Sequence, residues 1–344
     1  MSVKGINQDR LSEWFDSHIA GAQSPFAFEL ITGGHSNLTF RVTDSRSTSF
    51  VLRRPPTGAV IATAHDMARE HRIISALSST DVPVPPALGL CEDVDVNDAP
   101  FYVMGYVEGI VLSDETITAE RILPPQRARL GERVVEVLAA LHAVNPDEVG
   151  LGDLGRKEAY IPRQLKRWRT QWEKTKTREL PAMDRVFEGL QGNMPEQVGA
   201  TIVHGDYRLG NMLSTEDGDI AAVLDWELCT LGDPLADLGY LLNNWGEPGE
   251  QGPLARGAAM SPTSAGGFLN RSEVIARYEA LTGRDASRIA YYQAFQFWRL
   301  AAIVEGVLSR YLKGVMGDDD ANTEIFRQQV DGLAQSAVIL LEEL

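Results

Sequence analysis

Apolar positions recur with two different periods along this chain, and the change between them divides it. A first helix is expected from about Asp9 to Ile19. The stretch FAFELITGGHSNLTFRVTDSRSTSFVLRRPP then reads as three strands, FAFELI, NLTFRVT and SFVLRR, each bounded by Gly, Asn, Ser or Pro. In AHDMAREHRIISALSS the period becomes helical, with Met67, Ile73, Ile74 and Leu77 on one face. The prolines of DVPVPPALGLCEDVD forbid helix and predict extended chain. FYVMGYVEG is a further apolar strand that ends at glycine.

From about Ser113 the pattern turns helical. In LPPQRARLGERVVEVLAALHAV, Leu130, Val134, Val137, Leu138 and Leu141 form one stripe. Residues 160–178 predict a helix with Ile161, Leu165, Trp168 and Trp172 on its apolar face. Two short strands, ATIVH and IAAVLDW, are joined by the turn-like STEDGD. DPLADLGYLLNNW begins another helix, and the Gly/Pro-rich residues 246–267 predict a long loop of the kind that is often functional or mobile. RSEVIARYEALTG, ASRIAYYQAFQFWRLAAIVEGVLSRYLKG and a segment from about Asn322 close the chain as helices. No internal repeat is visible. The expected organisation is a small strand-rich lobe over 1–107 and a larger helical lobe over 108–344, with the change between Tyr106 and Ser113.

Bulk composition narrows the function classes. The 344 residues suffice for one large domain or two modest ones, and 44% hydrophobic content is ordinary for a globular protein. No apolar run approaches the roughly 20 residues needed to span a bilayer. The opening MSVKGINQDRLSEWF lacks the apolar centre of a secretion signal. Cys91 and Cys229 are the only cysteines, so a disulfide framework is not expected and a reducing cytoplasm is. A net charge of −16 argues against nucleic acid or an anionic membrane as a partner. Residues 157–178 run against that balance, with eight basic and two acidic side chains, and raise the question of an anionic ligand.

The chemistry concentrates in HGDYRLGN (204–211) and LDWE (224–227). Phosphoryl transfer from a nucleotide needs a hard cation on the phosphate oxygens, and Mg²⁺ takes carboxylate, amide and water oxygens. It also needs a carboxylate that receives the proton of the attacking hydroxyl. Kinases place that carboxylate in a loop, with an Asn five residues on for metal and a second Asp after the next strand. Asp206, Asn211 and Asp225 supply that spacing. Taken alone, the Asp and Asn also suit an ordinary turn.

The upstream strands offer the other parts. The hairpin TGGHSN (32–37) would lay backbone N–H groups over phosphates, with Gly33 and Gly34 permitting close approach and Ser36 and Asn37 adding donors. Arg53 stands where a kinase has its phosphate-contacting cation, and Glu70 on the following helix is its expected ion-pair partner. The segment YVMGYVEG (102–109) would join the lobes and read an adenine edge beside Met104 and Tyr106.

Together, IVHGDYRLGNML and VLDWELCTLGDPLADLGYLL resemble the aminoglycoside phosphotransferase and choline kinase-like superfamily. Within it, FVLRRPPTG, REHRIISAL, DVPVPPAL, FYVMGYVEG and GLGDLG look most like the phosphotransferase domain fused to acyl-CoA dehydrogenases. The resemblance runs from about residue 28 to residue 313. It implies a bilobal, protein kinase-like α+β fold, with a small antiparallel sheet and one helix ahead of a mainly helical lobe. It implies ATP and Mg²⁺ as cofactors, Asp206 as catalytic base, and Asn211 and Asp225 as metal ligands. Arg53 departs from the Lys found in many members, and a guanidinium is not equivalent to an ammonium. Adjacent Arg54 leaves open which of the two side chains points inward. Asp237 is expected to anchor the catalytic loop and His204 to pack beneath it.

The acceptor is a separate question, because fold and motif do not fix it. A polycationic aminoglycoside would need acids around its cleft. Tyr160, Arg163, Arg167, Trp168 and Arg299 would instead suit an anionic or acyl-bearing small molecule. The resemblance points the same way, to a hydroxyacyl-CoA or a related hydroxy acid. An aminoglycoside kinase is the second reading. A nucleotide-binding pseudokinase is a third of another class.

Overall fold

The computed structural model describes residues 3–31, 37–57, 66–251, 261–314 and 322–344. These fall into two compact units, one of Met1–Gly109 with Ala221–Glu227 and one of Ile110–Ile220 with Leu228–Leu344. The chain therefore returns to the first unit for seven residues around LDWE. Within that unit the returning segment is tied by Val223 N–H donating to Pro83 O at 2.8 Å.

The first unit is built on one antiparallel sheet of β1 (Ala27–Ile31), β2 (Leu38–Thr43), β3 (Ser49–Arg54), β4 (Ala87–Cys91) and β5 (Phe101–Gly105), in the spatial order β1-β2-β3-β5-β4. Alternation along the strands sends successive side chains to opposite faces. Phe40, Val42, Phe50, Leu52, Phe101 and Val103 meet Leu11, Trp14 and Phe15 of the helix Gln8–His18 in one core. The residues between them, Val51, Arg53, Tyr102 and Met104, take the other face, where Arg53 and Tyr102 meet Glu70 of the helix Met67–Leu77. That helix starts at Asp66, whose side chain accepts from Arg69 N–H at 2.9 Å. The stretch expected to be extended from its prolines holds β4, then a short helical turn, Val94–Asn97, where the prolines have ended and Asp93 caps Asp95 N–H.

In the second unit the 24-residue helix Ile289–Leu312 is buried around most of its circumference. Four helices pack on it: Tyr160–Thr175, Pro181–Gly192, Leu235–Asn243 and Thr323–Glu342. The helix Pro124–Ala143 carries the expected Leu130–Leu141 stripe and contacts Arg271–Thr282, which opens with a reciprocal Asn270–Glu273 cap. The helix read over 160–178 stops at Thr175. Buried Glu305 captures Thr177 through both its backbone N–H and its hydroxyl, and the chain turns off the helix axis. Within 246–267, the described part contains a 3₁₀ turn, Pro262–Ala265, pinned by Ser261 and Thr263 hydroxyls to Asn244 O and Gly246 O. Residues 252–260 lie outside the described residues. Among the described residues, no helix is long and apolar enough to cross a membrane.

Phe15 is fully buried and packs against the rings of Phe26, Phe28 and Phe50. Phe15→Ala should lower stability by about 3–5 kcal/mol, measured by urea unfolding with a probe in the first unit.

Candidate active site

The strand Thr201–Val203 pairs antiparallel with Thr230–Gly232 in the second unit, and the loop beginning at His204 leaves its end. Gly205 has φ +84, and a Cβ there would stand 2.8 Å from Leu228 O, so both backbone conformation and space require glycine. The two N–H groups exposed by this turn do not pair with another strand. Fully buried Asp237, in the first turn of the helix Leu235–Asn243, takes both: His204 N–H at 2.6 Å and Gly205 N–H at 2.8 Å. His142 Nε2 lies 3.4 Å from the same carboxylate, and its Nδ1 is 2.8 Å from the Tyr278 hydroxyl. Burial pulls His142 down from its ordinary pKa, with Asp237 opposing. His204 is also buried, and its Nδ1 accepts from Asp206 N–H at 3.2 Å.

Asp206 is held by the residue five positions on. Asn211 Nδ2 donates to Asp206 Oδ2 at 2.7 Å and to Asp206 O at 2.9 Å, closing the loop as a ring. With its NH₂ so fixed, the Asn211 amide oxygen takes part in neither of these bonds. Asp206 Oδ1 is buried without a hydrogen-bond partner, and Arg208 Nε stands 3.4 Å away. The Tyr240 hydroxyl faces this carboxylate, and burial together with the Asp206 charge pushes the phenol well up.

Arg299 braces the loop from the helix Ile289–Leu312. Its Nη1 donates to Gly205 O at 3.0 Å and to Gln296 Oε1 at 2.9 Å. Its guanidinium also lies over the Trp168 and Tyr240 rings, at 5.4 and 6.0 Å from their centroids. Tyr160 is buried, and burial pushes its phenol up to about 12 while Arg299 and Arg167 pull the other way. Exposed Arg167 lies over the other ring contact of Trp168, at 5.1 Å. The Arg163 guanidinium donates to Arg156 O, and the Tyr160 phenol acts on its charge as well.

The first unit holds the second acid. Asp225 has φ +65, a strained left-handed conformation for a residue with a side chain. Its Oδ1 is ion-paired to Arg53 Nη2. Arg53 Nε lies 3.0 Å from Glu70 Oε2, close enough to pair charges but off the hydrogen-bond axis. Glu227 Oε2 is 4.0 Å from Arg53 Nη2. Burial pushes Glu70 up, with Arg53 opposing, and Glu70 also accepts from the Tyr102 hydroxyl at 3.0 Å and from Asn37 Nδ2 at 3.2 Å. Arg54 points to the opposite face, where it donates to Gly5 O, Pro55 O and Asn97 O. The period of two along β3 thus decides between the two arginines: Arg53 meets the acids, and Arg54 ties backbone together.

Gly33, Gly34 and Ser36 lie outside the described residues. Asn37 is buried and directed at Glu70 and, at 3.4 Å, Glu227. Met104 is buried within β5, while exposed Tyr106 carries the Arg41 guanidinium 4.7 Å above its ring. Sequence reasoning gave no role to Tyr240, Glu227 or Arg208. Tyr240 was within reach, because it lies three residues from Asp237 and so shares its helix face.

Comparison with known proteins places the chain among phosphotransferases. A family model described as "Phosphotransferase enzyme family" matches residues 27–265. Acyl-CoA dehydrogenase family member 10 of Mus musculus is 36% identical over 315 residues, covering 90% of this chain and 29% of its own length. Acyl-CoA dehydrogenase family member 11 of Homo sapiens is 30% identical over 338 residues, covering 96% and 42%. The chain thus spans less than half the length of these curated relatives. A crystal structure from Ralstonia eutropha JMP134, described as a candidate aminoglycoside phosphotransferase, superposes with a TM-score of 0.83 at 32% identity, over 98% of each chain. A thermostable aminoglycoside phosphotransferase APH(4)-Ia mutant in complex with ADP and hygromycin B gives 0.59 at 15% identity, over 96% of this chain and 98% of its own. The fold is the protein kinase-like α+β fold of these phosphotransferases, with a small antiparallel sheet and a mainly helical remainder.

Removing the Asp237 carboxylate strands two buried N–H groups. Asp237→Ala should therefore lower stability by about 2–6 kcal/mol, read by urea unfolding. Asp237→Asn, which keeps one acceptor oxygen, should lose less.

Proposed function

Because the chain belongs to the phosphotransferase enzyme family, we propose that it transfers the terminal phosphoryl group of ATP to a hydroxyl of a small molecule, with Mg²⁺ as cofactor. One observation carries the reading. Asp206 has one carboxylate oxygen fixed by Asn211 and the other unengaged by any hydrogen bond, on a loop whose backbone Asp237 immobilises. That is how a general base is kept ready for an incoming proton.

In this reading Asp206 Oδ1 accepts the proton of the acceptor hydroxyl. The hydroxyl oxygen bonds to the γ-phosphorus as the bond to the bridging oxygen breaks, and ADP leaves. Asn211 and Asp225 are the proposed metal ligands. Their amide and carboxylate oxygens suit a hard cation that completes its shell with water and phosphate. Mg²⁺ bound there would neutralise charge on the phosphate oxygens. Arg53 is the proposed phosphate contact, with Glu70 as its partner. Gly33, Gly34, Ser36 and Asn37 are proposed to cover the phosphates, and the backbone beside Met104 and Tyr106 to meet the adenine.

For the acceptor we favour a hydroxy acid or a hydroxyacyl thioester. The basic stretch 157–178 and the kinship to acyl-CoA dehydrogenase family members support it. An aminoglycoside is the second reading, after the family's named members. A pseudokinase is disfavoured by the presence of Asp206, Asn211 and Asp225 together.

Asp206→Ala should reduce kcat by about 10²–10⁴-fold with ATP affinity retained, in an assay coupled to ADP release, and EDTA should abolish turnover. Unchanged turnover in Asp206→Ala would remove the base assignment. Tight ATP binding without turnover on hydroxyacyl thioesters, hydroxy acids or aminoglycosides would favour the pseudokinase. Phosphorylation of kanamycin alone would overturn the acceptor assignment.

A further inference from the structure

Beside the catalytic loop of the second unit, two cations share one aromatic ring. Arg167 and Arg299 both lie over Trp168, with guanidinium carbons 5.1 and 5.4 Å from the indole centroid. In a chain of net charge −16, acids are abundant, and Arg133, Arg169, Arg178, Arg271 and Arg277 each hold at least one. Among the described residues, neither Arg167 nor Arg299 has a carboxylate partner. Arg299 is 6% exposed, and its Nε is buried with no acceptor at all. A buried guanidinium without a counter-charge is unfavourable, and a second one nearby adds repulsion. Partial withdrawal from water and the neighbouring Arg299 both draw Arg167 below its ordinary pKa. Tyr160 stands close to both, and its phenol stays protonated near neutral pH.

The position of this charge matters as much as its sign. Arg299 holds the carbonyl of Gly205, the residue preceding the proposed base. Its guanidinium also lies over Tyr240, whose hydroxyl faces the Asp206 carboxylate. A molecule presenting a hydroxyl to Asp206 would extend across Tyr240 toward Trp168. Resting on the reading of Asp206 as base, we infer that Arg167 and Arg299, both over the Trp168 indole, bind an anionic group, a carboxylate or a phosphate, carried by the hydroxyl acceptor. The exposed Arg167 closes the site from solvent, and buried Arg299 forms its floor. A polycationic acceptor would meet two like charges here.

The test is binding of defined probes to the full chain, by isothermal titration and Trp fluorescence. The probes are 2-, 3- and 4-hydroxybutyrate, the neutral butanediols with the same hydroxyl positions, 3-hydroxybutyryl-CoA, and kanamycin. Wild type should bind at least one hydroxybutyrate or the thioester and should bind the diols at least tenfold more weakly. Arg167→Ala, a change at an exposed position, should weaken the anion by about 10- to 100-fold, and Arg167→Lys should restore part of it. Binding of a free hydroxybutyrate identifies a carboxylate as the anion, and binding of the thioester alone identifies its phosphates. Equal binding of diols and hydroxybutyrates, no loss in Arg167→Ala, or preference for kanamycin would each overturn the inference. Anion binding with the expected Arg167 dependence but no phosphoryl transfer from Mg-ATP would leave this site standing and overturn the proposed activity instead.

Discussion

A single buried carboxylate fixes the geometry on which the candidate active site depends. Asp237 accepts the backbone N–H groups of His204 and Gly205, which a strand ending in a glycine turn cannot pair by itself. An unpaired backbone group in a dry interior costs about 1–3 kcal/mol, so the carboxylate and the turn require each other. Gly205 completes the arrangement from below, because any side chain there would meet Leu228 O. Arg299 completes it at the next peptide, through the Gly205 carbonyl. Asp206 follows this clamped peptide directly, and Asn211 then sets its rotation. The loop contains no regular element beyond one 3₁₀ turn, so side-chain bonds supply the rigidity that a helix or sheet ladder would give elsewhere.

The first unit applies a different device to its own acid. Asp225 sits in left-handed backbone and points its carboxylate at Arg53, which also faces Glu70 and Glu227. The three acids raise the guanidinium's pKa against the opposing effect of its burial, so Arg53 is charged at any relevant pH. Glu70 in turn is satisfied by Tyr102 and Asn37. A polyanionic ligand entering this unit would find one cation already surrounded by carboxylates, and a divalent cation bound to Asp225 would loosen that hold. This contrasts with the second unit, where Arg167 and Arg299 have no carboxylate partner among the described residues. The same side chain serves as an internally neutralised strut in one place and as an unspent charge in the other.

Much of this was legible in the sequence because it depends on local spacing. The strand and helix runs follow from periods of two and 3.6, and the observed bounds differ from the expected ones by a few residues. The Asp206–Asn211 bond follows from a five-residue separation across one turn. Boundaries failed where a distant group intervened: the helix read to 178 stops at Thr175 because Glu305, far along the chain, binds Thr177. The same reason hid Glu227, whose partners become neighbours only after folding.

The sequence by itself therefore determined the α+β class, the presence of two acids and an amide at a kinase-like spacing, and the order of most elements, though not the helices Glu115–Arg121 and Pro181–Gly192. These are properties of short stretches, set by backbone sterics and side-chain period. Only the tertiary structure decided that Arg53 and not Arg54 meets the acids, that LDWE returns to the first unit, and that Arg167 and Arg299 share Trp168. Each of those outcomes depends on which face of a strand or helix is covered by a segment many residues away. Charge and spacing along the chain do not contain that information.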